Sequence, residues 1–180
     1  MKKYIAVIGS SRNVSKESLA AAEEIGALIA KRDAILVCGG RSGVMEAACK
    51  GAKSQGGLTV GILPGHTREE ANKYVDVAIP SGLGFSLRNF ITIRSADAVI
   101  MIQGEVGTLN EVILSYQHGK PLVVHQATDG WAGRLQQVAL EQGAYLDERR
   151  LMEINYRSTA EDVVERAFEL IGTVSLPEKL

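Results

Sequence analysis

Aromatic side chains are scarce in this chain, at 5% of its 180 residues, while glycine is plentiful at 19. That balance argues against the core of a β-sandwich and for many tight turns between strands and helices. An excess of one charge is also missing: 20 Lys and Arg face 21 Asp and Glu, for a net charge of −1. No basic footprint for nucleic acid or an anionic membrane is present, so recognition of phosphate has to be local. The two cysteines, Cys38 and Cys49, sit in apolar surroundings without metal-ligand spacing. They read as buried thiols in a reducing, cytoplasmic compartment. His66, His118 and His125 lie apart, with no i, i+4 pair and no carboxylate cluster, so no metal site is expected. No apolar run reaches membrane-spanning length. The start, Met1–Ser11, resembles a signal peptide for a few residues, but it enters a glycine turn and reads as a first strand. Neither GxGxxG nor GxxxxGK[ST] occurs, which speaks against an ordinary NAD oxidoreductase and a P-loop ATPase.

What is present is an alternation. Short Val- and Ile-rich runs at Tyr4–Ile8, Ala34–Cys38, Thr59–Leu63, Val75–Ile79, Ala98–Ile102, Leu122–His125 and Leu151–Ile154 read as strands. Several are apolar almost throughout, as parallel strands covered on both faces are. Helical periodicity fills the gaps at Ser15–Lys31, Gly43–Gln55, Phe85–Ser95, Thr108–His118, Trp131–Gln142 and Thr159–Ile171. In the first, Leu19, Ala22, Ile25, Gly26 and Ile29 form one stripe. The pattern predicts an α/β chain: a doubly wound sheet of about seven mostly parallel strands in three α/β/α layers. One domain spanning residues 1–180 suits this length. Only Met1–Lys3 and about the last six residues are expected to fray.

Several strands end in glycine turns: Gly9-Ser10-Ser11, Gly39-Gly40-Arg41-Ser42-Gly43, Pro64-Gly65, Ser81-Gly82-Leu83-Gly84 and Gly104-Glu105-Val106-Gly107-Thr108. In open parallel sheets, ligands bind beyond the carboxyl ends of the strands. Glycine permits close backbone approach, and the helix that follows aims free N–H groups at the same place. The turns at 39–43 and 104–108 together therefore point to a phosphate-bearing, nucleotide-like ligand. Thr108-Leu109-Asn110-Glu111 also has the form of a capping box, a sufficient structural reason for Thr108 and Glu111. Thr67–Glu70 and Ser158–Glu161 have the same form. The sharper reading puts Gly107 and Thr108 on phosphate and Glu111 one turn inside, as an acid, base or cation stabiliser. Arg88 is placed to clamp phosphate, with Leu87, Phe90 and Ile91 as the buried stripe of its helix. Arg41 is a second anion contact, and Arg94 a solvated helix charge. Tyr116 and Trp131 read as packing residues, Trp131 with a minor claim to the ligand mouth. The apolar Leu109, Val112, Ile113 and Tyr116 suit burial or a subunit contact.

These motifs resemble the Lonely Guy (LOG) family, often labelled lysine-decarboxylase-like. The resemblance rests on Leu87-Arg88-Asn89, Ser95-Ala96-Asp97-Ala98, the run Gly104–Glu111, the first glycine loop through Val44 and Met45, and Gly9-Ser10-Ser11. It covers roughly residues 4–125. It implies a Rossmann-like fold, a homodimer or homotetramer, and hydrolysis of nucleoside 5′-monophosphates to free base and ribose 5-phosphate. By the same resemblance Arg88 and Glu111 are the catalytic pair. Gly9, Ser10, Ser11, Gly39, Gly40, Arg41, Gly43, Met45, Gly104, Gly107 and Thr108 contact phosphate and ligand. The chain departs from the family at Gln103-Gly104-Glu105, where the family has Pro-Gly-Gly, and at Asn89, where it has lysine. These departures resemble a branch that holds the molybdenum cofactor carrier proteins. The alternative is thus a non-catalytic carrier of a phosphorylated pterin such as molybdenum cofactor. No cofactor is required for the hydrolytic reading. No lysine is placed for a pyridoxal phosphate Schiff base, which argues against decarboxylation.

Overall fold

The computed structural model describes residues 1–173. The fraying expected of the last six residues lies outside the described residues. Seven strands form one sheet: β1 (Tyr4–Gly9), β2 (Ile35–Cys38), β3 (Thr59–Leu63), β4 (Val77–Pro80), β5 (Ala98–Ile102), β6 (Leu122–His125) and β7 (Ile154–Arg157). Their order is β4-β3-β2-β1-β5-β6-β7, and every neighbouring pair is parallel. The chain winds outward from β1 in one direction and, after crossing back, outward from β5 in the other. The gap between the ends of β1 and β5 is therefore the topological switch point.

The helices are α1 (Lys16–Lys31), α2 (Val44–Ser54), α3 (Gly84–Ser95), α4 (Val106–Gln117), the short α5 (Leu135–Val138) and α6 (Leu140–Gly143), and α7 (Ala160–Glu169). Ile25 and Ile29 of α1, Val44 and Cys49 of α2, and Val163 of α7 pack with Ile5, Val7, Ile100 and Ile102 on one sheet face. Ile93 of α3, Val112 and Tyr116 of α4, and Leu135 of α5 pack with Ala6, Ile8, Val99 and Met101 on the other. Both faces of the central strands are buried, which is why those strands lack polar alternation. Each such aliphatic side chain contributes roughly 1.5–3 kcal/mol of transfer free energy. Cys38 and Cys49 are free and buried, their sulfurs 3.5 Å apart.

Register at the switch point is pinned by a side chain. Asp97 accepts the Tyr4 N–H at 2.8 Å and returns its own N–H to the Tyr4 carbonyl at 2.7 Å. The Ser-Ala-Asp-Ala segment thus joins the start of β5 to the start of β1.

The structure departs from the periodicity at β4, at β7, over residues 131–142 and at α3. The fourth strand starts at Val77, because Asp76 turns its carboxylate onto the Thr59 N–H at 3.0 Å and ends the approach loop. The seventh strand is Ile154–Arg157 and not Leu151–Ile154; Met152 is buried against the second core from the preceding loop. The helix expected over Trp131–Gln142 is broken. Leu140 and Tyr145 exchange backbone hydrogen bonds, and Glu141 and Gln142 take positive φ. The fourth departure is at α3, whose buried residues are Arg88, Asn89, Thr92 and Ile93. Of the expected apolar stripe, Leu87 is 60% and Phe90 41% exposed and face outward, while Ile91 packs half-buried against Ile35, Val37 and Ile62.

Helices α1 and α2 approach closely over two glycines. A Cβ on Gly26 would lie 2.0 Å from the Ala48 carbonyl oxygen, and one on Gly51 1.7 Å from that of Glu23. At an uncrowded helical site, Gly→Ala stabilises by up to about 1 kcal/mol. Here the backbone clash wins. Gly51→Ala is expected to destabilise by about 1–3 kcal/mol in urea unfolding; an unchanged or raised stability contradicts this packing.

Candidate active site

The turn after β1 and the turn after β2 are joined. Ser42 Oγ donates to the Ser11 carbonyl at 3.0 Å, and the Val44 N–H to the Ser10 carbonyl at 3.0 Å. Gly43 makes this possible, since a Cβ there would lie 2.4 Å from the Ser10 oxygen. Across the switch point, Gln103 takes φ 55° and donates its side-chain amide to the Asn13 carbonyl at 2.9 Å. Its backbone N–H goes to Thr128 Oγ1 at 2.8 Å. The β1 and β5 ends are thereby held at a set separation.

Between them lies a cavity of about 170 Å³. It is lined by Gly9, Ser10, Ser11, Met45, Phe85, Arg88, Asn89, Glu105, Gly107, Thr108 and Glu111. Both members of the expected catalytic pair are there. Arg88 comes from α3 and Glu111 from α4, with Arg88 Nη1 3.9 Å from Glu111 Oε1. Arg88 is 5% and Glu111 6% exposed. Arg88 Nε and Nη1 and the Ser10 hydroxyl are buried without hydrogen-bond partners. Buried donors of this kind carry a desolvation cost that an anionic ligand would relieve. Burial pushes the Glu111 carboxyl up to about 7, against the opposing pull of Arg88. Burial also disfavours charge on Arg88, although a guanidinium keeps its proton at any ordinary pH.

The capping box is not formed. Helix α4 starts at Val106 with Glu105 as N-cap, and Glu105 makes no side-chain cap bond. Thr108 is therefore the third helical residue, and Glu111 points into the cavity instead of reaching back. The N–H groups of Val106, Gly107 and Thr108 have no acceptor within the helix. At α7 the cap is Thr159, accepting the Asp162 N–H, and Thr67 makes no side-chain cap bond.

The remaining sequence candidates lie outside the cavity lining. Gly39 backs onto Arg88, where a Cβ would come 1.9 Å from Nη1. The Gly40 carbonyl accepts the Asn72 N–H, and the Gly104 carbonyl that of Trp131. Arg41 lies 3.9 Å from a Glu70 carboxylate oxygen and 5.6 Å from the Phe85 ring centre. Trp131 is half-buried against the second core. Asn89 and Phe85 were not legible as site residues. The Asn89 amide donates to the Gly107 carbonyl at 3.3 Å and to Asn110 Oδ1 at 3.1 Å, tying α3 to the first turn of α4. Its place beside Arg88 was the available signal. A larger hollow of about 480 Å³ lies beyond Ser11 and Gly43, over Val14, Leu19 and Tyr74. No side-chain atom buried without a partner belongs to its lining, so the smaller cavity is the candidate site.

The sequence matches the SLOG cluster4 family over residues 2–161. The chain belongs to that family. It is 34% identical over 136 residues to the cytokinin riboside 5′-monophosphate phosphoribohydrolase of Mycobacterium tuberculosis, with 71% of each chain aligned. Its fold is similar to that of the molybdenum cofactor binding protein of Rippkaea orientalis. The TM-score is 0.82 at 33% identity, over 95% of this chain and 98% of that one. The molybdenum cofactor carrier protein of Chlamydomonas reinhardtii superposes with TM-score 0.79 at 30% identity, over 94% and 98%. The chain is thus similar both to a LOG-type sequence and to molybdenum cofactor carrier structures. Among the described residues, no helix is long and apolar enough to cross a membrane.

Glu111 makes stability depend on pH. Its folded pKa lies above the ordinary 4.5, so between pH 4.5 and about 7 the folded chain holds a proton that the unfolded chain has lost. Stability then falls as pH rises through that window. The penalty is absent below it, complete above it, and on the order of 3 kcal/mol. Urea unfolding at pH 5 and pH 8 is expected to show this drop in the wild type and not in Glu111→Gln. Equal slopes in both would remove Glu111 as the cause.

Proposed function

We propose that this chain binds a phosphate-bearing nucleotide at the switch-point cavity and hydrolyses its N-glycosidic bond, releasing free base and ribose 5-phosphate. The observation that carries the reading is the buried Arg88–Glu111 pair, with two guanidinium nitrogens lacking partners. Arg88 and Ser10 are the phosphate donors; Gly9, Ser11, Met45, Gly107 and Thr108 complete the wall. Glu111 in its ionised form takes a proton from water as the oxygen bonds to the ribose C1′. The C1′–N bond breaks, and the proton held by Glu111 passes to the departing base, which leaves as a neutral molecule and returns Glu111 to its ionised form. A carboxyl held near 7 is suited to that transfer, and its negative form stabilises an oxocarbenium-like sugar. The likeness to the phosphoribohydrolase supports this assignment at the level of family.

Incubation with AMP, GMP, CMP and UMP, followed by chromatography, is expected to show free base from at least one. Glu111→Gln is expected to lower the rate by about 10²-fold or more. No base from any of the four, or an unaffected variant, would sink the hydrolytic reading.

A second reading is carriage of a phosphorylated pterin such as molybdenum cofactor. Glu105 on the cavity lining and Asn89 beside Arg88 favour it, because the first adds a negative charge and the second removes a positive one relative to the LOG loop. So does the similarity to the two molybdenum cofactor proteins. Native mass spectrometry of protein purified from its own cells is expected to show a bound pterin under this reading. A ligand-free chain that also ignores added cofactor argues against it.

Either ligand would sit beside an apolar surface. Leu83, Leu87 and Phe90 from the α3 region and Val106 and Ile113 of α4 are exposed. Solvent-facing patches of this kind mark interfaces, and this one supports a homodimer or homotetramer. Leu87→Asp is expected to shift the particle to single-chain mass in light scattering, with an unchanged circular dichroism spectrum. A wild-type chain that is already monomeric contradicts the assembly.

A further inference from the structure

The cavity has an asymmetry that bears on which ring it accepts. Its deep end carries the unpartnered donors, Arg88 Nε and Nη1 and the Ser10 hydroxyl, beside the single buried carboxyl of Glu111, 3.9 Å from Arg88 Nη1. Its mouth offers an aromatic ring, with the Glu70-paired Arg41 guanidinium 5.6 Å from the ring centre, and an acceptor. Phe85 is 60% exposed, and Glu105 is exposed with no side-chain hydrogen bond or ion pair among the described residues. The Asn89 amide group, which would otherwise be a donor there, is already committed to Gly107 and Asn110.

Size fixes the direction of binding. About 170 Å³ is less than the 300 Å³ or more that encloses a whole small ligand. A phosphate drawn to the deep donors therefore leaves the ring at the mouth. The reverse orientation would put phosphate beside Glu105, where like charges repel. The ring then meets a carboxylate, which only accepts hydrogen bonds. A 2-amino-4-oxopyrimidine, the edge shared by guanine and pterin, presents a ring N–H and an exocyclic amine side by side. It satisfies both carboxylate oxygens. Adenine and cytosine present an amine beside a ring nitrogen acceptor, so their second contact is repulsive. Uracil has one N–H between two carbonyls.

We propose that Glu105 is a specificity-determining residue that selects a 2-amino-4-oxopyrimidine ring, with the ring lying on Phe85. The proposal rests on the reading of the switch-point cavity as a phosphate site. It assigns the residue that departs from the LOG loop a recognition role.

The test is calorimetric binding to the full chain with non-hydrolysable 9-deaza C-nucleotides, which keep the base edge but cannot be cleaved. 9-Deazaguanosine 5′-monophosphate is expected to bind about ten-fold or more tightly than 9-deazaadenosine 5′-monophosphate. Glu105→Gln is expected to bring the two within about three-fold of each other, because one acceptor oxygen becomes a donor. Ribose 5-phosphate, which has no ring, is expected to bind wild type and Glu105→Gln alike. Phe85→Leu is expected to weaken both nucleotides together. A phosphorylated 6-substituted pterin in the same assay separates the two ring sources: tighter binding than the guanine nucleotide assigns the site to a pterin. A guanine-to-adenine ratio near one in the wild type, or a ratio that survives Glu105→Gln, overturns the proposal. If ribose 5-phosphate binds in that case, the phosphate site stands without the ring selectivity. If nothing binds, the phosphate site and the proposal fall together.

Discussion

A guanidinium buried with an incomplete set of partners is the constraint around which this molecule is arranged. Arg88 is charged, 5% exposed, and 3.9 Å from the one carboxylate paired with it. Burying a charge is costly unless it is paired and hydrogen-bonded, and neither condition is fully met. Glu111 shares the problem, since the burial that strands Arg88 also raises the carboxyl toward neutrality. The two groups are held in this poorly compensated state by structure that is well compensated elsewhere. Gly39 leaves room for the guanidinium, Thr92 Oγ1 hydrogen-bonds the Arg88 carbonyl, and Asn89 fastens α3 to α4. An anion entering the cavity would supply the missing partners. Binding energy is then available from relief of a cost already present in the free protein.

The same constraint explains which parts of the structure were legible. The sheet was readable because β1, β2, β5 and β6 are buried on both faces, and a continuous apolar run is the direct mark of that burial. Helix α1 was readable because its stripe of Ala22, Ile25 and Ile29 obeys the ordinary rule of apolar side inward. Helix α3 violates that rule. Its inward side carries Arg88, Asn89 and Thr92 because the site needs them there, and the displaced Leu87 and Phe90 face out. A periodicity argument assigns such a helix the wrong face. The failure coincides with the residue proposed to bind the ligand, as expected where local preference is overruled by a site.

The second glycine loop shows the opposite kind of ambiguity. Thr108 and Glu111 have the spacing of a capping box, so a structural explanation was sufficient and wrong. What decided between the readings was helix phase. Three residues of earlier start turn Thr108 from cap to first-turn residue and place Glu111 within the cavity. That difference is small for the backbone and decisive for chemistry, and no composition rule resolves it. Along the strand-to-helix turn at residues 128–132, by contrast, Thr128, Trp131 and Ala132 bind the backbone of Gln103 and Gly104. These long-range bonds support the positive φ of Gln103, which intrinsic preference alone would not favour.

Charge near the cavity then separates this chain from the loop it resembles. Asn89 stands where the LOG family has lysine, and its amide is spent on Gly107 and Asn110. Glu105 stands where the family has glycine and adds a negative charge at the N-terminus of α4. A carboxylate at that position is favourable for the helix dipole, which gives Glu105 a reason to persist without any ligand. For a phosphate the same carboxylate is unfavourable, and it weakens the helix N-terminus as an anion site. On the proposed reading, anion recognition passes inward to Arg88 and Ser10, which carry donors left without partners. The two departures and the unpaired donors then form one arrangement: the free donors lie at the floor of the cavity beside Glu111 and a second carboxylate lies at its rim, which suits a ligand negative at one end and able to donate at the other.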